Sequence, residues 1–232
     1  MKSEKAKVLH SVAGRPMILY VVETAARIAG KDVIVVTGTQ SEAVKDIVSS
    51  YARVSFAYQA RQLGTGHAAW CALPALGDHI EHVVVLCGDA PLIAPETLSD
   101  LIDMHIVRQE DVTVLGAQLD NPGGYGRLKI NADGAVERIV EEADATEAEK
   151  SINTVNTGIY CVARNFLEYA LKQIDTNNAQ EELYLTDIVS IASESGKSIG
   201  LMLCRDNKEM LGINNLDDLE KVEAIIYGNE KP

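Results

Sequence analysis

The 232-residue sequence is short of positive charge, with 21 lysines and arginines against 34 aspartates and glutamates. Its formal net charge of −13 argues against non-specific nucleic-acid binding, because such binding needs a basic surface. The same charge repels phosphorylated small molecules at long range. A phosphate site must therefore be built locally from a few cations, backbone N–H groups and a metal ion.

The sequence also lacks the marks of secretion, membrane insertion and disulfide bonding. No apolar run approaches the ~20 residues that span a membrane, and the charged start MKSEKAKVLH contains no apolar signal segment. None of the four cysteines, Cys71, Cys87, Cys161 and Cys204, forms a C-x-x-C pair. These absences favour a cytoplasmic protein with reduced cysteines and no membrane partner. A dehydrogenase of the Rossmann type is also disfavoured, since no G-x-G-x-x-G follows a predicted strand.

What the sequence does contain is an alternation of helical and strand-like segments. Its length suits one large domain with a core of its own. Over residues 1–110, amphipathic segments alternate with the apolar runs DVIVVTG, RVSFAY and HVVVLCGD. This order predicts an α/β fold with a mixed, mostly parallel sheet covered by helices on both faces. Strand-like runs predominate over residues 111–232, which predicts a smaller second lobe within a single domain.

The stretch CGDAPLI places Asp89 just after a predicted strand, at the sheet edge where α/β proteins bind ligands. Gly88 before it allows the backbone to approach a ligand closely. An aspartate at this position is suited to holding Mg²⁺, which takes one or two carboxylates together with substrate phosphates. It is equally suited to capping a turn, and the stretch alone leaves both interpretations open.

The stretch QARQLGTGHAAW predicts a glycine-containing loop that enters a helix anchored in the core by Trp70 and Leu73. The N–H groups at such a helix start favour anions or carbonyl oxygens, and the amide of Gln59 matches the imide edge of a pyrimidine. An ordinary βα loop has the same composition. His67, in the first turn of the helix, is predicted to be structural.

Further polar and glycine positions have a structural explanation and a functional one. The glycines of NPGGYGRL suit a hairpin turn or a loop that contacts a ligand with its N–H groups. Capping, solvation or fraying would equally explain three polar side chains and one lysine, which are Glu141, Asn156, Asn214 and Lys7. The residues alone leave these alternatives open.

The order of the motifs points to one family. The motifs KVLHSVAGRPM, QARQLGTGHA, GDAPLI, NPGGYGRL, RIVEEADAT, NTGIY, NNAQEELYLTDI and GINNLDDL together closely resemble the uridylyltransferase domain of bacterial N-acetylglucosamine-1-phosphate uridylyltransferases. The resemblance covers nearly the whole chain. It implies a Rossmann-like nucleotide-sugar transferase fold with a smaller sugar-binding lobe. It also implies a Mg²⁺-dependent reaction that makes UDP-N-acetylglucosamine and pyrophosphate from UTP and N-acetylglucosamine 1-phosphate.

The resemblance assigns roles to individual residues. Asp89 and Asn214 match the Mg²⁺ ligands, and Lys7 matches a lysine that contacts the nucleotide phosphates. Residues that match the uracil-reading group are Gln59, Gly64 and Thr65. Residues that match the sugar-reading group are Gly126, Glu141 and Asn156, with Thr186 in a stretch that lines the same pocket. Gly88 belongs to the substrate-binding motif around Asp89.

The resemblance also implies two differences from the family at the ends of the sequence. Met1 aligns with the last residue of the family's L-A-A-G-x-G-T-x-M motif, so we expect a missing strand, a missing phosphate-binding loop and a gap in the sheet. Either the natural chain starts further upstream, which we favour, or the domain is a nucleotide-sugar-binding remnant. No hexapeptide-type repeat precedes Pro232, so we expect no acetyltransferase domain, and a monomer or weak dimer instead of the family's trimer.

Overall fold

A computed structural model describes residues 6–228 of the chain, and Met1 lies outside that range. Its helices are α1 (Met17–Ala29), α2 (Ser41–Ser49), α3 (Thr65–Ala72), α4 (Pro95–Arg108), α5 (Glu147–Lys150), α6 (Arg164–Ala170), α7 (Asp187–Glu194) and α8 (Leu216–Ile226). Its strands are β1 (Ser11–Val12), β2 (Arg15–Pro16), β3 (Ile34–Thr37), β4 (Ser55–Tyr58), β5 (His82–Val85), β6 (Val112–Gln118), β7 (Arg127–Ile130), β8 (Val136–Val140), β9 (Thr154–Ala163) and β10 (Ile199–Leu203). The runs DVIVVTG, RVSFAY and HVVVLCGD contain β3, β4 and β5, and helices alternate with these strands as predicted.

The main sheet has six strands in the order β10-β6-β9-β7-β8, with β5 paired to the same edge of β9 as β7. Strands β5, β6, β7 and β10 run in one direction, while β8 and β9 run in the other. The predicted mixed sheet is confirmed. Most neighbours in it nevertheless pair antiparallel, because the long strand β9 lies between strands of the opposite direction.

Strands β3 and β4 form a separate parallel pair. Within residues 6–228, no ladder joins this pair to the six-stranded sheet. The apolar side chains of β5 are only half-buried, whereas its sequence predicts a fully buried strand. The separation agrees with the gap in the sheet that the family resemblance predicts.

Helices cover both faces of the main sheet, as predicted. On one face, Val112 and Val114 of β6 pack with Phe166 of α6 and Ile188 of α7. On the other face, Leu115 of β6 belongs to the cluster formed with α4, whose other members include Leu98, Leu101, Ile159 and Cys161. Because side chains alternate along a strand, one sequence run supplies both faces of the core.

The cysteines are free, with Cys161 and Cys204 buried, in agreement with the prediction of reduced thiols. No helix within residues 6–228 combines the length and the apolar character needed to cross a bilayer.

Candidate functional site

Three polar side chains from distant parts of the chain meet at the end of β5. The Lys7 ammonium donates to Asp89 Oδ2 at 2.5 Å and to Asn214 Oδ1 at 2.7 Å. The backbone connects the same segments, since the Ile213 N–H donates to the Asp89 carbonyl at 3.0 Å. We call Lys7, Asp89 and Asn214 the phosphate-side cluster. It brings together the two predicted metal ligands and the predicted phosphate lysine.

Asn214 is held by the start of α8 without being its cap. The N-cap is Asn215, which forms a capping box with Asp218. The Asn214 N–H also donates to Asp218 Oδ2, at 2.9 Å. The Asn214 side chain is therefore free of the capping role, and its carboxamide oxygen reaches Lys7 instead.

The phosphate-side cluster suits a magnesium ion only if substrate oxygens complete the coordination. The Asp89 carboxylate and the Asn214 carboxamide oxygen already converge on one cation, the Lys7 ammonium. Among residues 6–228, no group of three or more His, Cys, Asp and Glu side chains could hold a metal by itself. Mg²⁺ is commonly held by one or two carboxylates plus substrate phosphates, so this pair of hard oxygens fits it.

The predicted uracil-reading loop is bonded to a segment more than a hundred residues away. The Gly66 N–H donates to the Leu183 carbonyl, and the Leu183 N–H donates to the Leu63 carbonyl, both at 2.8 Å. Thr65 Oγ1 accepts from the Leu185 N–H at 2.9 Å. Gly64 has φ +107°, and an added Cβ would lie 2.5 Å from the Leu183 carbonyl oxygen. Only glycine allows the two backbones to approach this closely.

Gln59 is fixed within the same loop. Its Nε2 donates to the Gly64 carbonyl at 3.0 Å and lies 3.1 Å from His67 Nδ1. The contact gives His67 the structural role that was predicted for it. Trp70, however, keeps 42% of its surface exposed, so the prediction that it anchors α3 in the core is wrong. Leu73, the other predicted anchor, does pack against the core, together with Ala69.

The predicted sugar-reading residues also form one group, which we call the sugar-side cluster. Thr186 Oγ1 donates to Glu141 Oε1 at 3.0 Å. The Asn156 N–H donates to the Gly126 carbonyl at 2.8 Å. A Cβ on Gly126 would lie 3.3 Å from Glu141 Oε2 and 3.6 Å from the Asn156 side chain. Thr186 directly follows Leu185, so this cluster and the uracil-reading loop share one segment.

A β-bulge in β9 sets the position of Asn156. The pairing of β6 with β9 shifts after Leu115, which leaves Thr157 and Gly158 without partners on β6. Asn156 Oδ1 accepts from the Gly158 N–H at 3.1 Å, and Asn156 Nδ2 donates to the Tyr160 hydroxyl at 2.8 Å. Bulges often reorient side chains beside active sites. The bulge is therefore a structural explanation for the NTG motif, whose last two residues lie in it.

Burial raises the pKa of two side chains at and between the two clusters, Glu141 and Cys87. Burial raises the pKa of Glu141, and its hydrogen bond from Thr186 partly opposes this. Burial also raises the pKa of the Cys87 thiol to about 12, with a further contribution from the Asp89 charge. Cys87 Sγ lies 3.6 Å from the Gly158 carbonyl, so this thiol packs between the two clusters. The sequence gives no signal for that position, because Cys87 belongs to an apolar run.

Gly88 has a packing reason in the structure, since a Cβ there would lie 3.3 Å from Ile18 and 3.4 Å from Val8. Sequence reasoning missed Tyr125, a part-buried side chain on which the Asp89 charge acts. Its pKa is raised by burial and by the charges of Asp218 and Asp89.

The family model for nucleotidyl transferases matches residues 2–225. The chain belongs to the nucleotidyl transferase family. A curated relative, the bifunctional protein GlmU of Geotalea uraniireducens, is 43% identical over 228 residues, which cover 98% of this chain and 50% of the relative. GlmU of Desulfotalea psychrophila is 43% identical over 219 residues, which cover 94% of this chain and 64% of the relative. The chain thus spans about half to two thirds of the length of these relatives.

Solved structures confirm the Rossmann-like nucleotidyltransferase fold. A UDP-glucose pyrophosphorylase crystallised with UDP-glucose superposes with a TM-score of 0.76 at 16% identity, over 97% of this chain and 91% of that one. A protein assigned as a glucose-1-phosphate thymidylyltransferase of Bacillus anthracis superposes with a TM-score of 0.73 at 19% identity, over 97% and 88% of the two chains. At these identities the likeness concerns the fold alone.

Proposed function

We propose that the chain is an N-acetylglucosamine-1-phosphate uridylyltransferase domain that makes UDP-N-acetylglucosamine and pyrophosphate. One observation carries the proposal: the side-chain oxygens of Asp89 and Asn214 converge on one cation, the Lys7 ammonium. Relatives named GlmU at 43% identity support the choice of substrates.

The residues have separate roles in an in-line attack on the α-phosphorus of UTP. Lys7 contributes positive charge toward the phosphates, and Glu141, Asn156 and Thr186 orient the sugar so that its phosphate oxygen faces the nucleotide. A Mg²⁺ ion held by Asp89 and Asn214 would supply Lewis-acid polarisation and charge neutralisation at the phosphate oxygens. In a chain with a net charge of −13, this local concentration of positive charge is what makes the binding of two phosphorylated substrates feasible.

The fixed amide of Gln59 supplies the preference for uracil. Its Nε2 faces the Gly64 carbonyl and His67, so its Oε1 is left as an acceptor toward the ligand. An acceptor matches the imide N–H of uracil and faces a ring nitrogen lone pair in cytosine. We therefore propose that UTP is preferred over CTP through this one contact.

The test is Mg²⁺-dependent pyrophosphate release from UTP and N-acetylglucosamine 1-phosphate. It should be run on the chain as printed and on a form that carries the family's glycine-rich segment ahead of it. We expect turnover in the extended form that falls about 10³-fold in Asp89→Ala, and unchanged turnover in Asp103→Asn on the exposed face of α4. Absence of pyrophosphate release by the extended form would overturn the proposal.

A non-catalytic nucleotide-sugar-binding protein is the second candidate. It is favoured by the separation of the β3–β4 pair from the main sheet and by the half-buried residues of β5. Calorimetric titration with UDP-N-acetylglucosamine separates the two. Binding without turnover in both forms would support this candidate, and absence of binding would remove it. Exchanging the acetamido sugar for glucose 1-phosphate, or UTP for other triphosphates, tests for a different substrate pair.

A further inference from the structure

The phosphate-side cluster already contains a cation, and that cation is a side chain of the protein itself. Lys7 Nζ lies within 2.7 Å of an oxygen of each predicted metal ligand. Its positive charge balances the single negative charge of Asp89. A divalent cation approaching the free protein therefore meets a neutralised pair, with an ammonium between the two oxygens it would use.

The Lys7 side chain can leave without disturbing the fold. It keeps 39% of its surface exposed, and it stands on a short 3₁₀ turn, Lys7–Leu9, whose last residue is buried. The Lys7 carbonyl accepts from the His10 N–H at 3.1 Å, so the backbone is held independently of the ammonium. A lysine is a flexible, compact charge, which suits it to exchange between two anionic partners.

We propose that Lys7 occupies the cation position of Asp89 and Asn214 in the nucleotide-free protein and moves to the nucleotide phosphates when UTP binds. The metal position thus becomes available only when phosphate oxygens are present to complete the coordination. Lys7 thereby couples metal binding to nucleotide binding and keeps free divalent ions out of the unliganded site. The first half of this proposal concerns metal binding alone, and the second half rests on the proposed function.

The first experiment measures Mn²⁺ binding without nucleotide by electron paramagnetic resonance. Lys7→Met and Lys7→Gln shorten the side chain by one atom and remove its charge. We expect both variants to bind Mn²⁺ at least tenfold more tightly than the wild type, and Lys7→Met combined with Asp89→Asn to lose this gain. Lys197→Met is the matched control, because Lys197 pairs with Asp111 at 3.3 Å in a different part of the sheet.

Equal Mn²⁺ affinity of wild type and both Lys7 variants would overturn the proposal, as would absence of binding in all of them at millimolar concentrations. A circular dichroism melt of each variant establishes that it is folded. These outcomes do not depend on which nucleotide or sugar the enzyme uses. Failure of the transferase assay would therefore leave the metal-binding result standing, and the two failures can be told apart.

The second experiment follows the movement of the lysine. Reductive methylation with ¹³C-formaldehyde labels the lysines, and the Lys7 resonance is assigned by its loss in Lys7→Gln. We expect this resonance to shift when UTP is added in the presence of a chelator, because the ammonium exchanges Asp89 for phosphate. A resonance that stays unchanged while calorimetry shows UTP binding would overturn the second half of the proposal.

Discussion

The phosphate-side cluster and the sugar-side cluster lie at opposite ends of the Cys87–Gly158 contact and differ in how they are held. At the phosphate side, Asn214 is exposed, Lys7 and Asp89 are half-buried, and the Lys7 ammonium joins the group. At the sugar side, Asn156 and Thr186 are 8% and 6% exposed, and both side chains are hydrogen-bonded within the chain. The phosphate-side cluster is partly exposed and, in our proposal, exchanges its cation. The side chains of Asn156 and Thr186 in the sugar-side cluster are buried and held by hydrogen bonds.

The difference matches what each ligand demands. Phosphates and a metal are recognised by charge, which tolerates movement because electrostatic attraction depends weakly on direction. A sugar is recognised by hydroxyl groups, whose hydrogen bonds require donors and acceptors at fixed positions. The following changes separate the two sides, because each acts on the sugar side or on the uracil-reading loop bonded to it and should leave Mn²⁺ binding at Asp89 and Asn214 unchanged.

Replacing Gly64 with alanine should have the largest effect. The added Cβ would lie 2.5 Å from the Leu183 carbonyl oxygen, at a residue with φ +107°. We expect loss of UDP-N-acetylglucosamine binding by calorimetry, because the loop must leave the segment that continues into Thr186. Gly134→Ala is the control for backbone strain alone, since Gly134 has φ +83° and no atom within 4 Å of an added Cβ. Equal behaviour of the two variants would contradict the role of the close approach.

Replacing Thr186 with valine should weaken sugar binding next most strongly. The substitution keeps the shape and removes the hydroxyl that donates to Glu141 at 3.0 Å. We expect KM for N-acetylglucosamine 1-phosphate to rise about tenfold, with KM for UTP unchanged. The pKa of Glu141 should rise further, because the hydrogen bond that opposes its burial is lost. Thr186→Ser keeps the hydroxyl and should restore both values; a serine variant as weak as valine would argue against this.

Replacing Tyr160 with phenylalanine should have a smaller effect of the same kind. Its buried hydroxyl accepts from Asn156 Nδ2 at 2.8 Å and fixes which way the amide faces. We expect a rise of about fivefold in KM for the sugar phosphate, with kcat and the KM for UTP near wild type. Tyr169→Phe removes an exposed hydroxyl on α6 and should change nothing. A fall in kcat with unchanged KM would contradict a positioning role.

Periodicity and turn residues were enough to predict the fold class, because local patterns decide helices and strands. They predicted the strands β3, β4 and β5 from the apolar runs DVIVVTG, RVSFAY and HVVVLCGD. The contacts that build the phosphate-side cluster join Lys7 to Asp89 and to Asn214, which lie 82 and 207 positions away in the sequence. No local pattern contains such contacts, so the grouping of these residues came from the family resemblance.

The predictions that were wrong or incomplete have a similar cause, since they too depend on contacts between distant parts of the chain. Trp70 was expected in the core because aromatic side chains pack well there, but it keeps 42% of its surface exposed. Gly64 was interpreted as part of a ligand-contacting loop or of an ordinary βα loop, whereas the close approach of the Leu183 backbone is what requires a glycine there. The bulge at Thr157–Gly158 depends on the register of β9 against β6, which the sequence of β9 alone does not determine.

The smallest predicted effect concerns Asp187, the first residue of α7 beside the sugar side. Burial, with the nearby charges of Asp175, Glu141 and Asp144, raises its pKa from 3.8 to about 6. Between these values the folded state binds the proton more tightly than the unfolded state, so this group lowers stability as pH rises through about 6. Asp187→Asn carries no charge at any pH. We therefore expect its melting temperature to exceed that of the wild type by about 2–4 °C at neutral pH.

The decisive measurement is how the difference in melting temperature between Asp187→Asn and the wild type depends on pH. The gain in melting temperature should vanish at pH below 3.8, where wild-type Asp187 is also neutral. Glu194→Gln removes a charge from the exposed end of the same helix and should give no comparable change across this range. A gain for Asp187→Asn that is equal at every pH would mean that the charge of Asp187 is not responsible. The lower melting temperature of the wild type would then have a cause other than the ionisation of Asp187.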